Sequence, residues 1–241
     1  MSLPDKMDTV TVNNLSKKYG SVLAVEHIGF ELKKGELVGL LGANGAGKST
    51  TMKLMTGILQ PDSGTVDIFG YNIEKNPVEA KKRTGYLSED NPLPEEMYVR
   101  EYLEYVAALY RLNNIKERVD ESILTCGLKN EYRKKIRALS KGNRQKLGLA
   151  QALIHEPDLL ILDEPANALD PSQQHEIREL VTGLSRSKII VFSTHILHDI
   201  KAIATRVILL KNGRLELDKP VKDIASVEAL FYETSHENTC R

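Results

Sequence analysis

A chain of 241 residues is long enough to bury a real core, as one large domain or two small ones. Lys+Arg and Asp+Glu balance at 33 each, so no net field draws the chain toward nucleic acid or anionic lipid, and the absence of Trp argues against a stacking platform for single strands. Cys126 and Cys240 lie far apart with no metal-ligand spacing, no apolar run approaches a membrane span, and MSLPDKMDTV lacks a signal-peptide core; the expectation is a soluble protein of a reducing compartment.

Residues 8–14 alternate and are rich in β-branched side chains, which predicts an opening strand. Further short strands lead through a Lys-Lys-Gly-Glu turn into Glu36-Leu37-Val38-Gly39-Leu40-Leu41, a mostly apolar run of the kind a buried parallel strand requires. Then comes Gly42-Ala43-Asn44-Gly45-Ala46-Gly47-Lys48-Ser49-Thr50, the spacing G-x-x-x-x-G-K-S. Gly42, Gly45 and Gly47 clear side chains from a loop whose N–H groups must wrap a polyphosphate and permit positive φ. Lys48 offers a flexible charge to the outer phosphates, and Ser49 a hydroxyl to magnesium. Met52, Leu54, Met55 and Ile58 predict the apolar stripe of the following helix, ended with help from Gly57 and Pro61. A turn and a strand over Thr65 to Phe69 follow.

From about residue 90 to 156 the pattern is helical. Val99, Tyr102, Leu103, Val106, Leu109 and Tyr110 share one face, and Ile115, Val119, Ile123 and Leu124 repeat the stripe as far as Gly127. The tyrosines there read as packing residues rather than a ligand box, and Cys126 reads as core. After Pro157 strands return: DLLILDEP ends in Asp163-Glu164 and SKIIVFSTH ends in His195, with a crossover helix over 171–185 between them. Asn212-Gly213 predicts a hairpin, and KDIASVEALFYETS a short amphipathic helix before a frayed end.

Working groups in open α/β sheets gather at the carboxyl ends of parallel strands, and three strands here end in suitable groups. An isolated Asp-Glu pair is an ordinary loop or capping carboxylate. Beside a phosphate loop, Asp163 becomes a candidate to hold magnesium and Glu164 to orient or deprotonate water. A strand-end histidine is more often structural; in this sheet His195 could touch a γ-phosphate and sense its loss.

The segment ALSKGNRQKLGLAQALIHEPDLLILDEP resembles the signature-to-strand region of ATP-binding-cassette (ABC) ATPases, with Leu139-Ser140-Lys141-Gly142-Asn143 standing where that family has L-S-G-G-Q. Tyr19 stands at the place of the aromatic that stacks on adenine, Ala168-Leu169-Asp170 resembles the D-loop, and His195 matches the switch histidine. The resemblance covers roughly residues 8–235, as a single ABC ATPase domain with 236–241 a disordered tail. It implies an α/β fold: a P-loop NTPase core with a mostly parallel sheet, an N-terminal antiparallel β subdomain and an inserted helical subdomain over about 90–156. It implies ATP and Mg2+ as cofactors and ATP contacts from Tyr19, Gly42, Ala43, Asn44, Gly45, Ala46, Gly47, Lys48, Ser49 and Thr50. Magnesium would be held by Ser49, Asp163 and Glu89, with Glu164 and His195 catalytic. Ser140 and Gly142 would close over ATP bound to a second copy. The implied partners are that second ATPase subunit and a separately encoded transmembrane permease, with no nucleic acid. The implied place is cytoplasmic, peripheral on the inner face of the cell membrane. GYLSED and the signature segment look most like bacterial exporter-type subunits.

Three departures stand out: Glu89 where the family has the Q-loop glutamine, Lys141 for the third-position glycine, and Asn143 for the signature glutamine. None removes a group needed for hydrolysis. A second reading is a non-transport ABC ATPase acting on ribosomes or DNA, although one cassette without a charged linker or sustained heptads fits those relatives poorly. A third, a small-molecule kinase on the same loop, leaves the signature segment and His195 unexplained.

Overall fold

Alternating apolar and polar residues let a strand bury one face, and the front of the chain uses this to build an antiparallel sheet. In the computed structural model, which describes residues 8–167, 169–195 and 197–224, β1 (Thr9–Tyr19) pairs with β2 (Val22–Lys33). The chain then makes β3 (Leu37–Leu41) and α1 (Lys48–Met55), and returns as β4 (Ser63–Ile68) and β5 (Tyr71–Asn72). The front sheet runs β2-β1-β4-β5, all antiparallel; β1 runs on to Tyr19, five residues past the end expected at 14, while β4 lies within two residues of the strand expected over Thr65 to Phe69.

The rest of the chain supplies α2 (Pro77–Lys82), β6 (Thr84–Leu87), α3 (Val99–Leu109), α4 (Ile115–Thr125) and α5 (Lys141–Leu153). After these come β7 (Leu159–Leu162), α6 (Pro171–Ser185), β8 (Ile189–Thr194), α7 (Leu197–Ile203), β9 (Arg206–Lys211) and β10 (Arg214–Pro220). The second sheet runs β10-β9-β3-β8-β7-β6, parallel throughout except for β10 at its edge. This is the expected α/β arrangement, with α3, α4 and α5 inserted between β6 and β7.

The central strands are apolar at successive positions because both of their faces are covered. Val38 and Leu40 of β3, Ile161 of β7 and Val191 of β8 face the core shared with the front sheet and α1. Leu37 and Leu41, Leu160 and Leu162, Ile190 and Phe192 face the core under the helices. Burying each such side chain contributes roughly 1.5–3 kcal/mol, so these strands anchor the molecule. Gly39 lets α7 lie close, since a Cβ there would meet Ile200 Cδ1 at 2.1 Å.

Several sequence expectations need correction. α1 stops at Met55, so Ile58 falls beyond it and is exposed. On α3 it is Ala107 that is buried and Leu109 that is exposed, and on α4 Leu124 is exposed while Ser122 is buried. On α1 the helix was drawn too long, and on α3 and α4 the stripe passed the edge of the covered face. The short α2 and β6 carry too few residues for a periodic signal. Cys126 is buried after α4, as expected, and burial pushes its thiol up to about 12. Of the segment expected to form the tail helix only residues 222–224 are described, at the end of a 3-10 turn over Val221–Asp223; the rest of that segment, the expected tail 236–241 and Cys240 lie outside the described residues. Among the described residues, no helix is long and apolar enough to cross a membrane.

Candidate functional site

A helix that begins without a capping side chain leaves its first N–H groups to a ligand, and α1 begins that way. Its N-cap is Gly47 at φ 103°, with no side-chain hydrogen bond and no acidic residue in the first turn. A side chain at Gly47 would also collide with the Ala24 carbonyl, at 2.5 Å from a Cβ. Gly42 and Gly45 likewise hold positive φ. The loop therefore wraps tightly against β2, as the sequence requires.

Lys48, the first residue of α1, is buried and turned back on its own loop. Its Nζ donates to the Gly42 carbonyl at 2.8 Å and the Ala43 carbonyl at 3.2 Å. Burial holds its ammonium below the usual lysine value, and the carboxylates of Glu164, Asp163 and Glu89 pull it back up. Next to it, Ser49 Oγ donates to Asp163 Oδ1 at 3.1 Å, joining the first turn of α1, reached by the loop after β3, to the end of β7. Glu164 follows at φ 49°, an uncommon conformation for a residue with a side chain. Its Oε2 lies 3.0 Å from His195 Nδ1, just past β8. Three strand ends thus converge on one place.

Around this centre opens a cleft of about 1040 Å³, lined by Tyr19, Ala43, Asn44, Gly45, Gly47, Lys48, Ser49, Thr50, Glu89, Glu164 and His195, and also by Ala24, Asn167 and Asn212. Tyr19 is half exposed at the end of β1, a flat ring at the mouth. Asn212 gets there because the β9–β10 hairpin turns at Asn212 and Gly213, both at positive φ, and Gly213 accepts from the Glu26 N–H at 2.7 Å. Glu89 sits at the rim, its Oε1 accepting from Asn167 Nδ2 at 3.3 Å. The structure therefore gathers the residues expected of the phosphate loop, the Asp-Glu strand and the histidine.

Gly42, Ala46 and the buried Asp163 belong to the same loop and strand end but do not line the cleft, and two further expected residues are elsewhere. Ser140 is the N-cap of α5, its Oγ accepting from the Asn143 N–H at 3.2 Å, and Gly142 is buried beneath the Gln173 side chain of α6. Neither lines the cleft. Lys141 is exposed at the start of the same helix. Of the resembling D-loop, Ala168 lies outside the described residues; Asp170 caps α6, accepting from the Gln173 N–H at 2.9 Å.

Sequence reasoning missed Ser193, Asn167 and Asn212. Ser193 is fully buried; its Oγ donates to Asp163 Oδ1 at 2.6 Å and accepts from the Glu164 N–H at 2.8 Å. The available signal was that Ser193 breaks the apolar run of β8 on the face shared with Ile189 and Val191.

The donor chemistry suits magnesium. Ser49 and Asp163 bring a hydroxyl and a carboxylate oxygen to one point, and no group of three or more His, Cys, Asp or Glu able to cage a metal exists among the described residues. Magnesium favours such sparse oxygen sites, completed by water and phosphate.

The family profile described as ABC transporter matches residues 25–167. The bacitracin transport ATP-binding protein BcrA of Bacillus licheniformis is 38% identical over 208 residues, 86% of this chain and 68% of that protein. The ABC transporter ATP-binding protein NatA of Bacillus subtilis is 35% identical over 214 residues, covering 86% of this chain and 87% of that protein. Among solved structures, an ATP-binding subunit of an ABC transporter superposes with a TM-score of 0.85 at 31% identity, covering 93% of this chain and 98% of that one.

Proposed function

The chain belongs to the ABC transporter family and is an ATP-binding ATPase of that family; from this we propose that it drives a separately encoded membrane permease, as a pair of copies closing over two ATP molecules. The observation that carries the reading is the convergence of Lys48, Asp163, Glu164 and His195 at three parallel strand ends beside an uncapped helix N-terminus.

In this reading the phosphates lie against the loop Gly42–Thr50 and the first turn of α1, and Lys48 exchanges its two carbonyl partners for phosphate oxygens. The adenine ring stacks on Tyr19. Ser49 and Asp163, with Glu89 at the rim, would hold Mg2+, which would supply positive charge to the phosphates. Glu164 orients and deprotonates the attacking water, and its contact with His195 lets that ring hold the carboxylate and report on the γ-phosphate. Ser140 and Gly142, outside their own cleft, act on the nucleotide of the second copy, so that dimer opening follows hydrolysis. The subunit sits in the cytoplasm on the inner face of the cell membrane and takes no nucleic acid. Export is favoured because relatives are named for bacitracin transport and Nod factor export.

The test is an affinity capture of tagged Glu164→Gln protein from its native membranes with ATP and magnesium. A polytopic membrane protein at near-equal stoichiometry is expected; ribosomal proteins or nucleic acid in its place would favour the non-transport reading.

A further inference from the structure

We infer that Ser193 is a positioning residue for hydrolysis: its one hydroxyl fixes the Asp163 carboxylate and latches the main chain of Glu164. The inference rests on the roles proposed above for Asp163 and Glu164.

A buried hydroxyl on a core-facing strand position is costly unless it is hydrogen-bonded. Ser193 is fully buried on the face of β8 that otherwise carries Ile189 and Val191. Both of its bonds go to the site, one donated to Asp163 Oδ1 at 2.6 Å and one accepted from the Glu164 N–H at 2.8 Å. β7 ends at Leu162, so the Glu164 N–H has left the strand ladder, and Ser193 gives it a partner at a residue held at φ 49°. That backbone turn aims the Glu164 carboxylate at His195. Asp163 Oδ1 receives two hydroxyls, from Ser49 and Ser193. When Ser49 turns to a cation, Ser193 is the contact that remains to hold the carboxylate in place. Removing it frees the two acidic groups without touching the phosphate loop.

The experiment compares Ser193→Ala and Ser193→Thr with wild type. It reads kcat and KM for ATP, the affinity for a fluorescent ATP analogue with and without magnesium, and Tm. Partners of this kind are worth about 10–100-fold in activity or metal affinity. Ser193→Ala should therefore lower kcat by about 10-fold or more and shrink the magnesium-dependent gain in analogue affinity by a similar factor. Magnesium-free affinity should stay within about twofold, and Ser193→Thr, which keeps the hydroxyl, should restore both losses. Should Ser193→Ala not fold, Ser193→Cys, near in volume but a weak donor, is measured in its place. A folded variant whose kcat and magnesium gain match wild type overturns the inference, as does an equal loss of affinity without magnesium. Asp163→Asn is the reference: if it leaves the magnesium gain intact, the reading of the site itself fails, and the inference with it.

Discussion

Lys48 turns its ammonium onto the Gly42 and Ala43 carbonyls, so an arriving phosphate competes with two existing hydrogen bonds. Among the described residues that line the cleft it is the one lysine or arginine, and neither the glycines nor Ser49 can replace its charge. Lys48→Ala should abolish measurable ATP hydrolysis, and turnover near wild type would refute the site assignment. Lys48 was legible as a candidate because it stands at a fixed offset in the phosphate loop, Asp163 and Glu164 because they end an apolar strand in a chain that carries such a loop, and His195 mainly through the resemblance to ABC ATPases. Ser193 was not, because a serine in a strand has no local signature. Its meaning comes from Asp163 and Glu164, roughly thirty residues earlier in the chain, across the β7–β8 pairing.

At the scale of elements, periodicity located α3, α4 and α6 and identified Tyr102 and Tyr110 of the first stripe as packing residues. Tyr102 is buried and donates to Gln151 Oε1 on α5 at 2.6 Å, and Tyr110, following α3, stacks on His155 with ring centroids 3.9 Å apart. Periodicity gave no hint of His155, which lies past the end of α5. Its Nε2–H donates to the Thr84 carbonyl at 3.1 Å, while Nδ1 is buried with no hydrogen-bond partner among the described residues. Burial lowers this imidazole from 6.5 to about 4, with Lys188 adding to the shift and the Thr84 carbonyl opposing it. The unfolded chain takes up a proton below about 6.5 that the folded chain refuses, so the stability this group contributes is complete above that pH and lost as pH falls toward about 4. Tm should accordingly fall more steeply between about pH 7 and pH 4.5 in wild type than in His155→Phe. Equal slopes in the two proteins would show that this ring does not couple folding to protons.

Across the whole molecule, the front sheet and the β9–β10 hairpin are locked together. Arg214 forms a bidentate pair with Glu26, and Arg206 joins Asp218, Glu36 and the Glu31 carbonyl. This holds Tyr19 and Asn212 at the mouth of the cleft. The start of α5 meanwhile lies outside that cleft, although its sequence resembles a phosphate-facing signature. In the proposed pair a second copy would complete such a split site, and slowing hydrolysis should trap the two together. Glu164→Gln with ATP and magnesium should run as a dimer in size-exclusion chromatography with light scattering, and as a monomer without nucleotide. A variant that hydrolyses ATP at the wild-type rate would remove Glu164 from its proposed role.

The sequence by itself determined the phosphate loop, the doubly buried strands and the hairpin turn, because each depends on residues within a few positions of one another: glycines where φ is positive, apolar runs where both faces are covered. Only the tertiary structure decided the order of the strands, the width of each buried helix face, and the contacts that join Ser193 to Asp163, Asn167 to Glu89 and His155 to Tyr110. Those contacts depend on which strand lies beside which and how closely the helices cover them, a property of long-range packing that no local pattern encodes.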